Sequence, residues 1–261
     1  MKKVYVRLLT IGIKEEKVFG INFMFSFLTL PLQALISYYL WKKGMGEAAI
    51  RNFTMNTMVI YFFLQTILMI SYEGAMMTAY EVNTDISTGK ILSLLLKPIS
   101  YPLMLFFKKI GFFFLRIFVG YTSVLVFAAI LGETLHSINI IYSLLFAAIS
   151  FTLLFQIQMI IGLLAFRFKN IILLRDFVMD ILWILGGVVI PLDFFPKALS
   201  SVLSWTVIPL IHYMPGKLLV NPFMTKELLI VFLSGVLRIV LYSFVIKLIW
   251  KVDSTKANQG A

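Results

Sequence analysis

Apolar positions in this chain run in long unbroken stretches. They show neither the one-sided spacing of a surface helix nor the alternation of a half-buried strand. A bilayer core about 30 Å thick takes roughly 20 apolar residues as helix. Six stretches meet that need: 18–41 with Pro31 inside, 54–79 with Glu73, 110–131 with Arg116 near its start, 140–166 with Gln156 and Gln158, 170–190 and 228–250. The fifth is the weakest, carrying Arg175, Asp176 and Asp180 in its first half, and the sixth holds Arg238 near its middle. A further apolar stretch, 192–220, is cut by Pro196, Pro209 and Pro215. Non-helical backbone at membrane depth is tolerated only where protein buries it or a cavity borders it. A short helical hairpin dipping in from one side fits this stretch better than a seventh span.

The ends and one loop complete the pattern. In residues 1–17, Val4, Leu8 and Ile11 fall on one helical face and Lys3, Arg7 and Lys14 on another, the layout of an amphipathic interface helix. These residues lack the apolar run and cleavage site of a secretory signal, so the mature chain is expected to start at Met1. The loop 80–109 starts polar, turns apolar at Ile91 and carries Pro98 and Pro102. It is too apolar for disorder, and loops of this length are usually functional when ordered.

Composition closes off several classes. Of 261 residues, 61% are hydrophobic and 13% charged, and there is no cysteine, against about 45–50% and 25% in soluble domains. That excludes an ordinary soluble enzyme, a disordered chain and a disulfide scaffold. The net charge of +11 resembles a nucleic-acid signal until it is located. With both termini inside, sixteen of the 23 Lys and Arg fall on the inner side and six on the outer, among them Lys42 and Lys43. This asymmetry is the signature of cytoplasmic loops. The excess therefore sets topology and attracts anionic headgroups, and no nucleic-acid partner is expected. The expected fold is an all-α polytopic membrane protein. It has six transmembrane helices, the interface helix 1–17, one transmembrane domain over 18–250, an outer re-entrant hairpin over 192–222 and a cytoplasmic tail over 251–261.

Catalytic chemistry is not visible. His136 and His212 stand in no zinc arrangement, and His212 beside Tyr213 reads as a pair at headgroup level. There is no nucleophile elbow. Gly89-Lys90 is followed by Ile91, so it is not a phosphate loop. No catalytic, metal or cofactor residue is assigned. Charges inside spans are costly and often functional. Arg238 is expected to pair with Glu73 or Asp180 or to face a path for cargo, while Gln156 and Gln158 suit interhelical hydrogen bonds.

Two segments carry a family resemblance. Asp85-Ile86-x-x-Gly89-Lys90-Ile91, followed by Leu94-Leu95-Leu96-Lys97-Pro98-Ile99-Ser100-Tyr101, is similar to the stretch after the second span of ABC-2 type permeases with six spans and about 260 residues. Gly186-Gly187-x-x-Ile190-Pro191-Leu192-Asp193-x-Phe195-Pro196, then Pro209 and Pro215, resembles their exit from span five and outer hairpin. The resemblance implies a multi-pass cell-membrane permease subunit of an ATP-driven exporter, with no enzyme site of its own. It implies two separate ATPase subunits holding ATP and Mg, and a second permease chain, identical or homologous. Glu81, Asp85, Gly89 and Lys90 would form the coupling helix on the ATPase, beside the N-terminal helix. Pro31, Gly186 and Gly187 would allow bending. The cargo would be a hydrophobic or amphipathic compound: a drug-like toxin, a peptide or a lipid. The alternative is a standalone carrier or channel subunit working through Glu73, Asp180 and Arg238.

Overall fold

The computed structural model describes residues 2–18, 20–45, 53–95, 99–168, 170–221 and 225–259. Every regular element among them is a helix. The order is α1 (Lys2–Val18), α2 (Gly20–Met45), α3 (Met55–Met76), α4 (Thr78–Ser87), α5 (Lys90–Leu95), α6 (Tyr101–Ile130), α7 (Ser137–Leu163), α8 (Ile172–Leu185), α9 (Lys197–Ser204), α10 (Ile208–Ile211), α11 (Tyr213–Val220) and α12 (Thr225–Gln259). Among the described residues, four helical stretches are long and apolar enough to cross a membrane: Met55–Ser87, Tyr101–Ile130, Ser137–Phe166 and Lys226–Asp253.

The expected spans map unevenly onto these helices. The first corresponds to α2, 26 residues with Pro31 inside. The second continues from α3 into α4 with a break at Met77, where Thr78 Oγ1 bonds back to the Gly74 carbonyl at 3.2 Å; such back-bonding bends helices. The third starts nine residues earlier than its apolar run, because Pro102 lies in the first turn of α6, where its missing N–H costs nothing. The fifth is shorter than expected. α8 has 14 residues, about 21 Å of helix, and ends at Gly186-Gly187, with Gly187 at φ +91°. The last helix runs through the expected tail to Gln259.

α7 is the centre of the bundle, packed by α3, α4, α10, α11 and α12. α3 and α7 bury most of their side chains. α12 instead turns Leu229, Leu233, Leu237, Val240 and Phe244 outward. An apolar surface of that extent on an outer helix fits a lipid solvent.

The N-terminal helix packs on protein. Gly12 of α1 and Gly111 of α6 lie where any Cβ would collide with the opposite backbone, at Lys108 O and Leu9 O. The Tyr5 ring lies tilted against Phe107, with centroids 4.5 Å apart. The docked face is therefore Tyr5, Leu8, Leu9 and Gly12, while Val4 and Ile11 of the expected apolar face are exposed. The two glycines decide which face seats, because only they let the backbones approach this closely.

Candidate functional site

Two aspartate-centred clusters organise opposite segments of the chain. The first lies in the loop carrying Glu81, Asp85, Gly89 and Lys90. α4 ends at Ser87, and Gly89, at φ +72°, reverses the chain so that α5 starts at once. Its N–H bonds the Ile86 carbonyl at 3.1 Å. This turn sets Lys90 against Asp85. Asp85 Oδ1 accepts from Lys90 Nζ at 2.8 Å, and Oδ2 accepts from the Tyr101 hydroxyl at 2.8 Å. The Asp85 side chain is 5% exposed and that of Lys90 60%. Hydrogen bonding to Asp85 raises the Lys90 pKa above its ordinary 10.5. The stability tied to the raised Lys90 pKa is therefore present below the ordinary lysine value and is lost as pH rises through the raised one. Tyr101 in turn stacks on Trp250 at 5.4 Å. One turn earlier, Glu81 takes Lys109 at 2.5 Å and lies 4.0 Å from Lys108. Leu96, Lys97 and Pro98 of the motif lie outside the described residues.

The second cluster lies in the proline-broken segment. Pro191 and Pro196 cap the short helical turns 192–194 and α9. Pro209 sits in the first turn of α10, and Pro215 lies inside α11. Breaks of this kind free backbone carbonyls, and donors from α3 and α7 satisfy them. Tyr61 OH bonds Gly187 O at 2.6 Å, Gln65 Nε2 bonds His212 O at 3.0 Å, Ser143 Oγ bonds Pro215 O at 2.6 Å and Ser150 Oγ bonds Leu210 O at 2.5 Å. Irregular backbone is thus held inside the protein, as a membrane demands. Asp193 accepts from Lys217 Nζ and Tyr213 OH, each at 2.8 Å. The Lys217 side chain is 6% exposed and lies 5.0 Å from the Phe53 ring. His212 is fully buried against Tyr72, not at an interface with water or headgroups.

The three intramembrane charges do not meet. Glu73 pairs with Arg116, which also bonds Ile70 O at 2.6 Å. Arg238 donates to Trp205 O at 2.7 Å, a carbonyl left open where α9 ends. Asp180 is exposed on α8 and has no hydrogen bond or ion pair among the described residues. The expected pairing of Arg238 with Glu73 or Asp180 is therefore corrected. Arg116 lies nearer to Glu73 along the fold, and a broken helix end supplies Arg238 with an acceptor.

Other polar residues act as ties between helices. Gln156 Nε2 donates to Ile239 O at 3.0 Å and Ser243 Oγ at 2.7 Å, and Gln158 Nε2 meets Met179 Sδ at 3.0 Å. Arg175 lies over the Tyr80 ring and bonds Asp176 and Met76 O, with Tyr80 OH also on Asp176. Asp253, buried, takes Arg167 at 3.2 Å. No group of three metal-binding side chains occurs among the described residues.

Sequence reading missed the Asp193–Lys217–Tyr213 cluster. The one available signal was a lysine, Lys217, inside an apolar broken stretch. Among known families, the profile described as ABC-2 family transporter protein matches residues 28–256. No curated protein matches the chain.

Proposed function

The chain belongs to the ABC-2 family of transporter proteins, and from that premise we propose that it is the membrane-spanning permease subunit of an ATP-driven exporter. Its spans are α2, α3, α6, α7, α8 and α12, with the stretch 192–222 as an outer hairpin and both termini in the cytoplasm of a cell membrane. Two copies, or one copy and a homologous chain, join two separate ATP-binding subunits. The cargo is a hydrophobic or amphipathic compound moved outward by alternating access. The chain holds no cofactor and does no chemistry itself; ATP and Mg belong to the partner.

One observation carries the coupling role. Asp85 clamps the α4–α5 turn to Tyr101 at the start of α6, so force on an exposed turn reaches a long helix directly. Glu81 adds a second tie through Lys109, and α1 docks on the same stretch of α6. A rigid lever of this kind is what a motor subunit needs in order to move the spans.

The test is reconstitution with the ATP-binding subunit. Asp85→Arg, and separately Gly89→Pro, which removes the N–H bonded to Ile86 and forbids positive φ, should abolish ATP-coupled transport while the chain stays folded. Unchanged coupled transport in both would remove the lever from the account.

A further inference from the structure

A cavity of about 590 Å³ opens between α6, α7 and α12. That volume lies within the range of small-molecule pockets. Its walls divide by chemistry. Leu103, Phe106, Phe155 and Ile246 are apolar, while Ser243, Lys247 and Ser100 are polar.

The polar groups are mixed: Ser243, Lys247 and Ser100 can donate, whereas Thr152 gives its proton to Ala148 O at 2.8 Å and Gln156 Oε1 is a buried acceptor without a hydrogen bond among the described residues. Gln156 Nε2 is committed to Ile239 O and Ser243 Oγ, and the Ile239 carbonyl can only accept, so the amide cannot be flipped. Ser243 accepts that bond, which leaves its own proton to donate. Lys247, one turn further on, is exposed and has no ion pair among the described residues. Ser100 makes no side-chain cap bond to α6. A guest with oxygen acceptors therefore meets donors at Ser243, Lys247 and Ser100, and its apolar body meets Leu103, Phe106, Phe155 and Ile246.

We propose that this cavity binds a single-chain amphiphile with an acidic head, a carboxylate or phosphate. The head lies at Ser243, Lys247 and Ser100, and the chain lies among Leu103, Phe106, Phe155 and Ile246. Trp250 borders the cavity and stacks on Tyr101, the residue that holds Asp85. A guest here presses on the same helix start that the Asp85 clamp controls. Binding rests on the cavity alone; that the guest is cargo rests on the exporter reading.

The test uses the full chain in phosphatidylcholine nanodiscs, with Trp41, Trp183 and Trp205 replaced by Phe so that Trp250 alone reports. A brominated fatty acid should quench Trp250 saturably, at about tenfold lower concentration than the corresponding brominated alcohol. Ser243→Phe and Leu103→Phe, which fill the cavity from opposite walls, should each raise the half-quenching concentration about tenfold, with the helical circular dichroism and melting point held. Quenching that rises linearly with probe, or that is the same for acid and alcohol, or that ignores both filling variants, overturns the proposal. With the ATP-binding subunit present, ATP-dependent flux of the fatty acid that Ser243→Phe blocks identifies the guest as cargo. Saturable binding without flux identifies a resident lipid; the site then stands and the exporter reading loses this cargo.

Discussion

Asp85 and Asp193 each accept one lysine ammonium on Oδ1 and one tyrosine hydroxyl on Oδ2, all four bonds at 2.8 Å. They differ in which partner is buried. At Asp85 the carboxylate is inside and Lys90 reaches out; at Asp193 the ammonium is inside, against Phe53. The same three-residue chemistry thus serves two ends. At Asp193 it closes a packed seam, where the Lys217 charge is shielded from water. At Asp85 it fixes a turn whose lysine, bonded to Asp85, remains exposed to water. Breaking a pair is expensive when the charge left behind is buried, and cheap when water can take it.

Asp193→Ala should therefore be the most damaging single change, destabilising by about 3–5 kcal/mol because it removes the carboxylate that faces the buried Lys217 ammonium. Lys217→Met should cost clearly less, since Asp193 keeps Tyr213 and reaches water. Adding Lys217→Met to Asp193→Ala should restore much of the loss in a double-mutant unfolding cycle in detergent. Equal costs for the two single variants would erase the burial difference on which the comparison stands.

At the other cluster the order reverses between acid and base. Lys90→Met leaves buried Asp85 with Tyr101 alone, at about 1–3 kcal/mol. Asp85→Asn leaves a hydrated Lys90, and the loss should stay below about 1 kcal/mol. Denaturant unfolding of both variants checks that ranking.

Asp180→Asn should have the smallest effect, within about 0.5 kcal/mol, because the side chain is exposed and unpartnered among the described residues. If ATP-coupled transport also survives this change, the carrier alternative loses one of its three charges.

What the sequence reveals differs between the clusters for a physical reason. Asp85, Gly89 and Lys90 lie within six residues, so spacing alone places them near each other; Tyr101, 16 residues from Asp85 at the start of α6, is not placed there by spacing. Asp193 and Lys217 are 24 residues apart across three prolines, and Glu73 and Arg116 are 43 apart on separate helices; hydrophobic runs do not encode which helices adjoin. Long apolar stretches mark the long helices well. They mark ends poorly: Pro102 reads as a breaker but starts α6, and Gly186-Gly187 stops α8 before its apolar run is over. The docked face of α1 is legible only once Gly12 and Gly111 are seen to meet.

The central claim is that the exposed α4–α5 turn seats on an ATP-binding subunit. The chain has no cysteine, so Ser87→Cys at the end of α4 or Ser93→Cys on α5, both exposed and flanking the turn, gives a single reactive site, with Ser200→Cys on α9 as the control. Cross-linking in native membranes to a cysteine-bearing ATP-binding subunit should give a heterodimer band from residues 87 and 93, altered by trapped ATP, and none from residue 200. A band from residue 200, or none from the turn while the two subunits co-purify, would contradict the account.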